Sequence, residues 1–163
     1  MRLLDSSLYN ADLKKAVSSI DLSSLDGKSF FITGGLGLIA STVVDVLLTY
    51  EKTGIIYIGA RNKEQFEKRY GNLERVRFVS YDALKPLKLE IVPDYIIHGA
   101  GLASPELYTS MPVETILSNV DGIHELLHFA KNNAVERVLY ISSSEVYGKN
   151  IQKNRLLKIN MVK

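Results

Sequence analysis

The sequence predicts a three-layer α/β domain built on a doubly wound parallel sheet. Three observations carry this: five short apolar runs rich in β-branched and aromatic residues, helix-period segments between most of them, and a glycine-rich turn joining the first run to the first helix. Strands that alternate with helices run parallel and bury both faces, because each crossover returns the chain to the same end of the sheet.

Taken in order, Ser7 to Ile20 forms an apolar stripe of Tyr9, Leu13, Ala16, Val17 and Ile20, a helix expected to pack on the domain edge. Asp26-Gly27 turns the chain into the first strand, Phe30-Phe31-Ile32. Ile39, Val43, Val44 and Leu47 then share one helical face, and Ile55-Ile56-Tyr57-Ile58 is the second strand. Lys63, Glu64, Glu67, Lys68 and Arg69 mix both charges as a solvated helix face does. Val76 to Val79 and Tyr95 to Ile97 are the third and fourth strands. Pro112 suits the first turn of a long helix whose Ile116, Val120, Ile123, Leu127 and Ala130 should pack on the sheet, ahead of the last strand at Val138 to Ile141.

Composition sets the bounds. The chain of 163 residues is 46% hydrophobic and 23% charged, enough for one globular core. It holds no cysteine, so thiolate metal sites, disulfides and thiol nucleophiles are excluded and a reducing, cytoplasmic setting is expected. The longest uncharged stretch, Ser29 to Val44, is 16 residues and rich in glycine, too short for a bilayer, and Asp5 spoils a signal peptide. Residues 149–163 carry five basic groups and no acid, which leaves residues 1–148 with 15 basic against 18 acidic groups, a net of −3. Within the body, Lys and Arg interspersed with Glu and Asp, as in Lys63, Glu64, Glu67, Lys68 and Arg69, argue against nucleic acid as a partner, and no membrane partner is expected. The division expected is a helical extension over 1–27, a dinucleotide-binding domain over 28–148, and a basic tail over 149–163 outside the domain.

Thr33-Gly34-Gly35-Leu36-Gly37-Leu38-Ile39-Ala40 carries the chemistry. Gly34 permits the tight turn, Gly37 lets a phosphate approach the backbone, and the small Ala40 allows close helix-to-strand packing, while the helix start offers free N–H groups to a pyrophosphate. Strand before and helix after make this a Rossmann-type dinucleotide site. The end of the second strand, Gly59-Ala60-Arg61-Asn62, lacks the acid that a ribose would meet in an NAD site. Arg61 there either meets a 2′-phosphate, stacks on adenine or stays in solvent, so NAD and NADP both remain open. Asp82-Ala83 follows the third strand, where the acid accepts from an adenine amino group or forms a turn ahead of Pro86.

These segments, with His98-Gly99-Ala100-Gly101, Ala103-Ser104-Pro105, Pro112-Val113-Glu114-Thr115-Ile116, Asn119-Val120-Asp121-Gly122 and Ile141-Ser142-Ser143-Ser144-Glu145-Val146-Tyr147-Gly148, resemble the extended short-chain dehydrogenase/reductases of the NAD-dependent epimerase/dehydratase family. The likeness covers residues 28 to 148 and is greatest to the UDP-glucuronate decarboxylase and dTDP-glucose 4,6-dehydratase branch. The resemblance implies an NAD cofactor, with NADP open, a nucleotide-sugar substrate and an assembly that can be homo-oligomeric. It implies oxidation at C4 of the hexose to a 4-keto sugar, which acidifies C5 and turns a C6 carboxylate into a β-keto acid. By position Ser143 holds the C4 hydroxyl and Glu145 lies near the sugar ring. Ser144 stands where dehydratases place Asp, which favours decarboxylation over dehydration or 4-epimerisation. Leu38 and Ile39 would flank the pyrophosphate, Ala100 and Gly101 the cofactor ribose, and Asn119 the nicotinamide half. His98 ends a buried strand as a core or cofactor-lining residue rather than a base.

The family base, a Tyr followed four residues later by Lys, should come after Gly148, yet residues 149–163 contain no tyrosine. Tyr147 is followed at the required spacing by Ile151. The expectation is a cofactor-binding half, ended early, in which binding without turnover is one outcome. His124-Glu125-Leu126-Leu127-His128 offers a different chemistry, matching a zinc-hydrolase helix that would need a third ligand from Glu136 or Glu145. No metal site is expected from it.

Overall fold

The computed structural model describes residues 6–71, 73–102, 104–143 and 146. Five parallel strands, β1 (Phe30–Thr33), β2 (Ile56–Ala60), β3 (Val76–Ser80), β4 (Tyr95–His98) and β5 (Arg137–Tyr140), pair in the order β3-β2-β1-β4-β5. Each of the five apolar runs read from the sequence is one of these strands. All four residues of β1 are buried, as a central strand covered on both faces requires. Strand order reverses between β1 and β4, so a crevice opens at their carboxyl ends, where Thr33 stands opposite Gly59 on one side and His98 on the other.

The pleat sorts the core into two layers. Phe30, Ile32, Ile56, Ile58 and Val76 pack with Ala40, Val44 and Leu47 of α2 (Leu38–Tyr50) and Phe66 and Tyr70 of α3 (Lys63–Tyr70). Phe31 and Ile96 point to the other face, with Tyr81 and with Leu126 of α5 (Pro112–Asn132). Helix α1 (Ser7–Ser18) starts where Ser6 Oγ accepts from the Tyr9 N–H and packs on α2 with Leu13 buried. It ends two residues before the expected boundary and leaves Ile20 exposed. A short helix, α4 (Pro105–Ser110), was not foreseen, although Ser104 capping ahead of Pro105 is a regular helix start.

Helix α5 forms over the expected span but turns only part of the expected face inward: Ala130 packs on the core and Ile123 is half-buried. Ile116, Val120 and Leu127 are 63%, 57% and 50% exposed, whereas Ser118, Gly122 and Leu126 are buried. The loop beyond β3 comes too close for large residues: a Cβ on Gly122 would stand 3.0 Å from the Ala83 Cβ. Small residues mark that contact, and much of the hydrophobic stripe therefore points outward. Among the described residues no helix is long and apolar enough to cross a membrane.

Candidate dinucleotide-binding site

The glycine turn lies at the crevice between β1 and β4. Gly34 has φ +70°, and a Cβ there would stand 2.6 Å from the Gly99 carbonyl oxygen, so the loops after β1 and β4 meet where only glycine fits. Gly37 is the N-cap of α2 and has no side chain to close the helix end. The first-turn N–H groups of Leu38, Ile39 and Ala40 have no intrahelical acceptor and are left to a ligand or water. From α3 the Tyr70 hydroxyl donates to the Gly35 carbonyl at 3.0 Å and holds the turn from the sheet side. Ala40 is buried, its Cβ 3.6 Å from where a Gly99 Cβ would be, the close packing expected of it.

A cavity of about 300 Å³ opens at this end of the sheet and gathers most of the residues singled out from sequence. Gly34 and Gly37 reach it from the first turn, and Arg61 and Asn62 from the end of β2. Asp82 and Ala83 come from beyond β3, Ala100 and Gly101 from beyond β4. Leu38 and Ile39 do not line it: their side chains are 84% and 64% exposed and border a separate apolar groove with Thr42 and Val43. Only their backbone can serve a pyrophosphate. Asn119 stands behind the β4 loop, its Oδ1 2.6 Å from where a Gly101 Cβ would be and its amide donating to the Thr115 carbonyl at 2.7 Å. Ser143 lies exposed just past β5, while Ser144, Glu145 and Tyr147 fall outside the described residues.

Thr33 and Tyr81 were missed. The Thr33 hydroxyl accepts the N–H groups of Gly99 and Ala100, both at 3.2 Å, and lies 2.7 Å from His98 Nδ1. With its lone pairs so engaged, Thr33 donates to Nδ1, which leaves the proton of a neutral imidazole on Nε2. His98 is fully buried, and burial pushes its pKa down to about 4, so it is a core histidine at the crevice and no base near neutrality. Tyr81 lines the cavity with a buried hydroxyl that has no hydrogen-bond partner among the described residues. Tyr81 and Lys85 repeat the family's tyrosine–lysine spacing, but burial pushes this phenol up to about 12, opposite to what a base needs. The signal for Thr33, a polar residue closing an apolar strand beside a glycine turn, was present in the sequence.

The residues present fit a dinucleotide: an open helix end behind two glycines, a cleft at the switch point, and polar groups from the ends of β2 and β3. Of the zinc-hydrolase pattern, one of the two candidate third ligands, Glu145, lies outside the described residues. His124 and His128 are exposed, with ring centroids 4.5 Å apart, and no group of three His, Cys, Asp or Glu suited to a metal occurs among the described residues.

Comparison with known proteins agrees. UDP-glucuronic acid decarboxylase 3 of Arabidopsis thaliana is 38% identical over 120 residues, covering 72% of this chain and 34% of the plant protein. The solved UDP-N-acetylglucosamine 4-epimerase of Methanobrevibacter ruminantium superposes with a TM-score of 0.64 at 31% identity, covering 82% of this chain and 43% of the epimerase. The dTDP-glucose 4,6-dehydratase of Streptomyces venezuelae, solved with NAD bound, gives 0.65 at 23% identity, over 77% and 42% of the two chains, and shares the fold. The chain thus spans about a third of the length of the curated relatives it matches. The model of the NAD dependent epimerase/dehydratase family matches residues 30–160, past the boundary expected at 148, and the chain belongs to that family.

Proposed function

We propose that this chain supplies the dinucleotide-binding part of an enzyme that oxidises C4 of a nucleotide-linked hexose, most like a UDP-glucuronate decarboxylase. Dehydration and 4-epimerisation are the neighbouring reactions in the family. The observation that carries the proposal is the uncapped start of α2, behind Gly34 and Gly37, opening into the crevice between β1 and β4. The backbone N–H groups of Leu38, Ile39 and Ala40 hold the pyrophosphate there. Arg61 and Asn62 serve the adenosine ribose, Asp82 and Ala83 the adenine, and Ala100 and Gly101 the second ribose, with Asn119 supporting the loop. When bound, a nicotinamide cofactor supplies hydride acceptance, and all else falls to the protein. Ser143, just past β5 at the carboxyl end of the sheet, hydrogen-bonds the C4 oxygen; Glu145 is assigned to the sugar ring, and Ser144 to the place of the dehydratase Asp, from the family motif alone, since both lie outside the described residues. A cysteine-free composition fits a cytoplasmic enzyme.

The test separates binding from folding. Fluorescence titration of the purified chain with reduced dinucleotide should show saturable binding to one site. Gly37→Asp supplies an N-cap carboxylate but sets a Cβ 3.2 Å from the Gly34 carbonyl oxygen, so the melting temperature should change little, while its carboxylate occupies the anion position and weakens binding at least about tenfold. A wild-type chain that binds no dinucleotide, or a variant that binds as well as wild type, would remove the proposal.

A further inference from the structure

We infer that the adenosine end of the cavity is built for a 2′-phosphorylated dinucleotide, with Arg61 as the residue that recognises the phosphate. This rests on the dinucleotide reading above and goes on to the chemical form of the ligand.

The end of β2 offers a ribose no acceptor. A ribose with free 2′ and 3′ hydroxyls presents two donors, and a carboxylate at the end of the second strand is the acceptor that satisfies them. Here β2 ends at Ala60, whose methyl accepts nothing, and the next two residues on the cavity wall are Arg61 and Asn62. Asn62 Oδ1 is already committed as the N-cap of α3, accepting the Gln65 N–H at 2.9 Å. Asp82 is the single acidic residue among those lining the cavity, and it comes from beyond β3. Its Oδ1 accepts the Leu84 N–H at 3.1 Å and its Oδ2 lies 3.8 Å from Lys85 Nζ, so beside the adenine it serves its own turn and not the ribose hydroxyls.

Arg61 offers donors instead. Neighbouring arginines are engaged: Arg69 pairs with Asp45 at 2.8 Å, Arg75 donates to the Thr53 and Leu48 carbonyls, and Arg77 donates to the Glu74 carbonyl. Arg61 is exposed and has no hydrogen bond or ion pair among the described residues. Its planar fork of donors is therefore free, at the mouth of the cavity, to meet phosphate oxygens in pairs. Arg61 also borders the adjoining groove along β3, whose walls add Arg77, Lys85 and Lys88 against only Asp82 and Glu90. That local excess of positive charge suits a dianion and gives nothing to a neutral diol. The start of α3 at Lys63, directly after Arg61 and Asn62, adds its dipole with the same sign.

The full chain should be titrated with NADPH and NADH by fluorescence, then with 2′,5′-ADP and 5′-ADP by calorimetry. The expected result is binding of the 2′-phosphorylated member of each pair at least about tenfold tighter, one charge-assisted contact's worth, with a preference that shrinks as salt rises. Arg61→Ala should bring the ratio close to one, and Arg61→Lys should keep part of it, as a point charge does. Arg61 is exposed, so neither change should disturb the fold. Equal or tighter binding of NADH, or an undiminished ratio in Arg61→Ala, overturns this inference and leaves the dinucleotide site standing. Binding of neither dinucleotide overturns the site itself.

Discussion

Thr33 and His98 sit on neighbouring strands 65 residues apart, joined by a 2.7 Å hydrogen bond, and their burial decides how a titratable group behaves. Burial holds the folded pKa of His98 at about 4, below its ordinary 6.5. The unfolded chain therefore takes up a proton near pH 6.5 that the folded chain refuses until about pH 4. A depressed folded value means stability that is complete above pH 6.5 and lost as pH falls through 4, here about 2–3 kcal/mol by pH 4.5. Urea midpoints at pH 7.5, 5.5 and 4.5 should fall along that course, and His98→Asn should flatten the slope even if it lowers stability throughout; parallel slopes would refute the assignment. The place of His98 at the end of an apolar strand marks it in the sequence as a core or cofactor-lining residue. Thr33 is not visible there as the partner, because that contact exists only once β1 and β4 lie side by side. The same holds for Gly34, whose requirement comes from the Gly99 carbonyl across the crevice as much as from the local turn.

At the scale of elements, a buried charge ties three helices together. Asp45 of α2 is fully buried, accepts from the Tyr9 hydroxyl of α1 at 2.8 Å and pairs with Arg69 of α3 at 2.8 Å. Burial pushes its carboxyl up while those two partners pull it back down. Tyr9→Phe removes one hydrogen bond to a buried charge and should cost about 1–3 kcal/mol. Hydrogen exchange should show the loss concentrated in α1, and even protection of α1 in the variant would deny it the role of latch. Strands and helices were legible because their signals are local: every apolar run became a strand, and α2, α3 and α5 cover the expected helical spans. The inward face of α5 was not legible, since Ser118 and Gly122 face the loops beyond β4 and β3, whose approach exists only in the folded chain. Gly122→Val should therefore destabilise by about 1–3 kcal/mol through overpacking against Ala83, whereas Val120→Ala, on the exposed face, should change stability little.

The whole molecule carries apolar surface on both sides of its sheet. On one side Val113, Ile116, Leu117, Val120 and Leu127 form an exposed stripe along α5. On the other, Leu38 and Ile39 stand exposed at the start of α2, and Leu139 of β5, in register with Ile97, is exposed as well. Residues that repeat every three or four positions along one helix make a continuous patch, and patches of this kind on a protein surface mark contact with another surface. Net charge works in the same direction, because +2 over 163 residues gives little repulsion between copies. Sedimentation velocity of the purified chain across a concentration series should show a species larger than the monomer that grows with concentration. The double variant Ile116→Lys with Val120→Lys changes two exposed side chains and should shift the population toward monomer without altering the far-ultraviolet circular dichroism. If the wild-type chain stays monomeric at every concentration, the α5 stripe is not a self-association surface. If the double variant associates as strongly as wild type, the contact lies instead on the opposite face, where Leu38→Lys with Leu139→Lys should then abolish it.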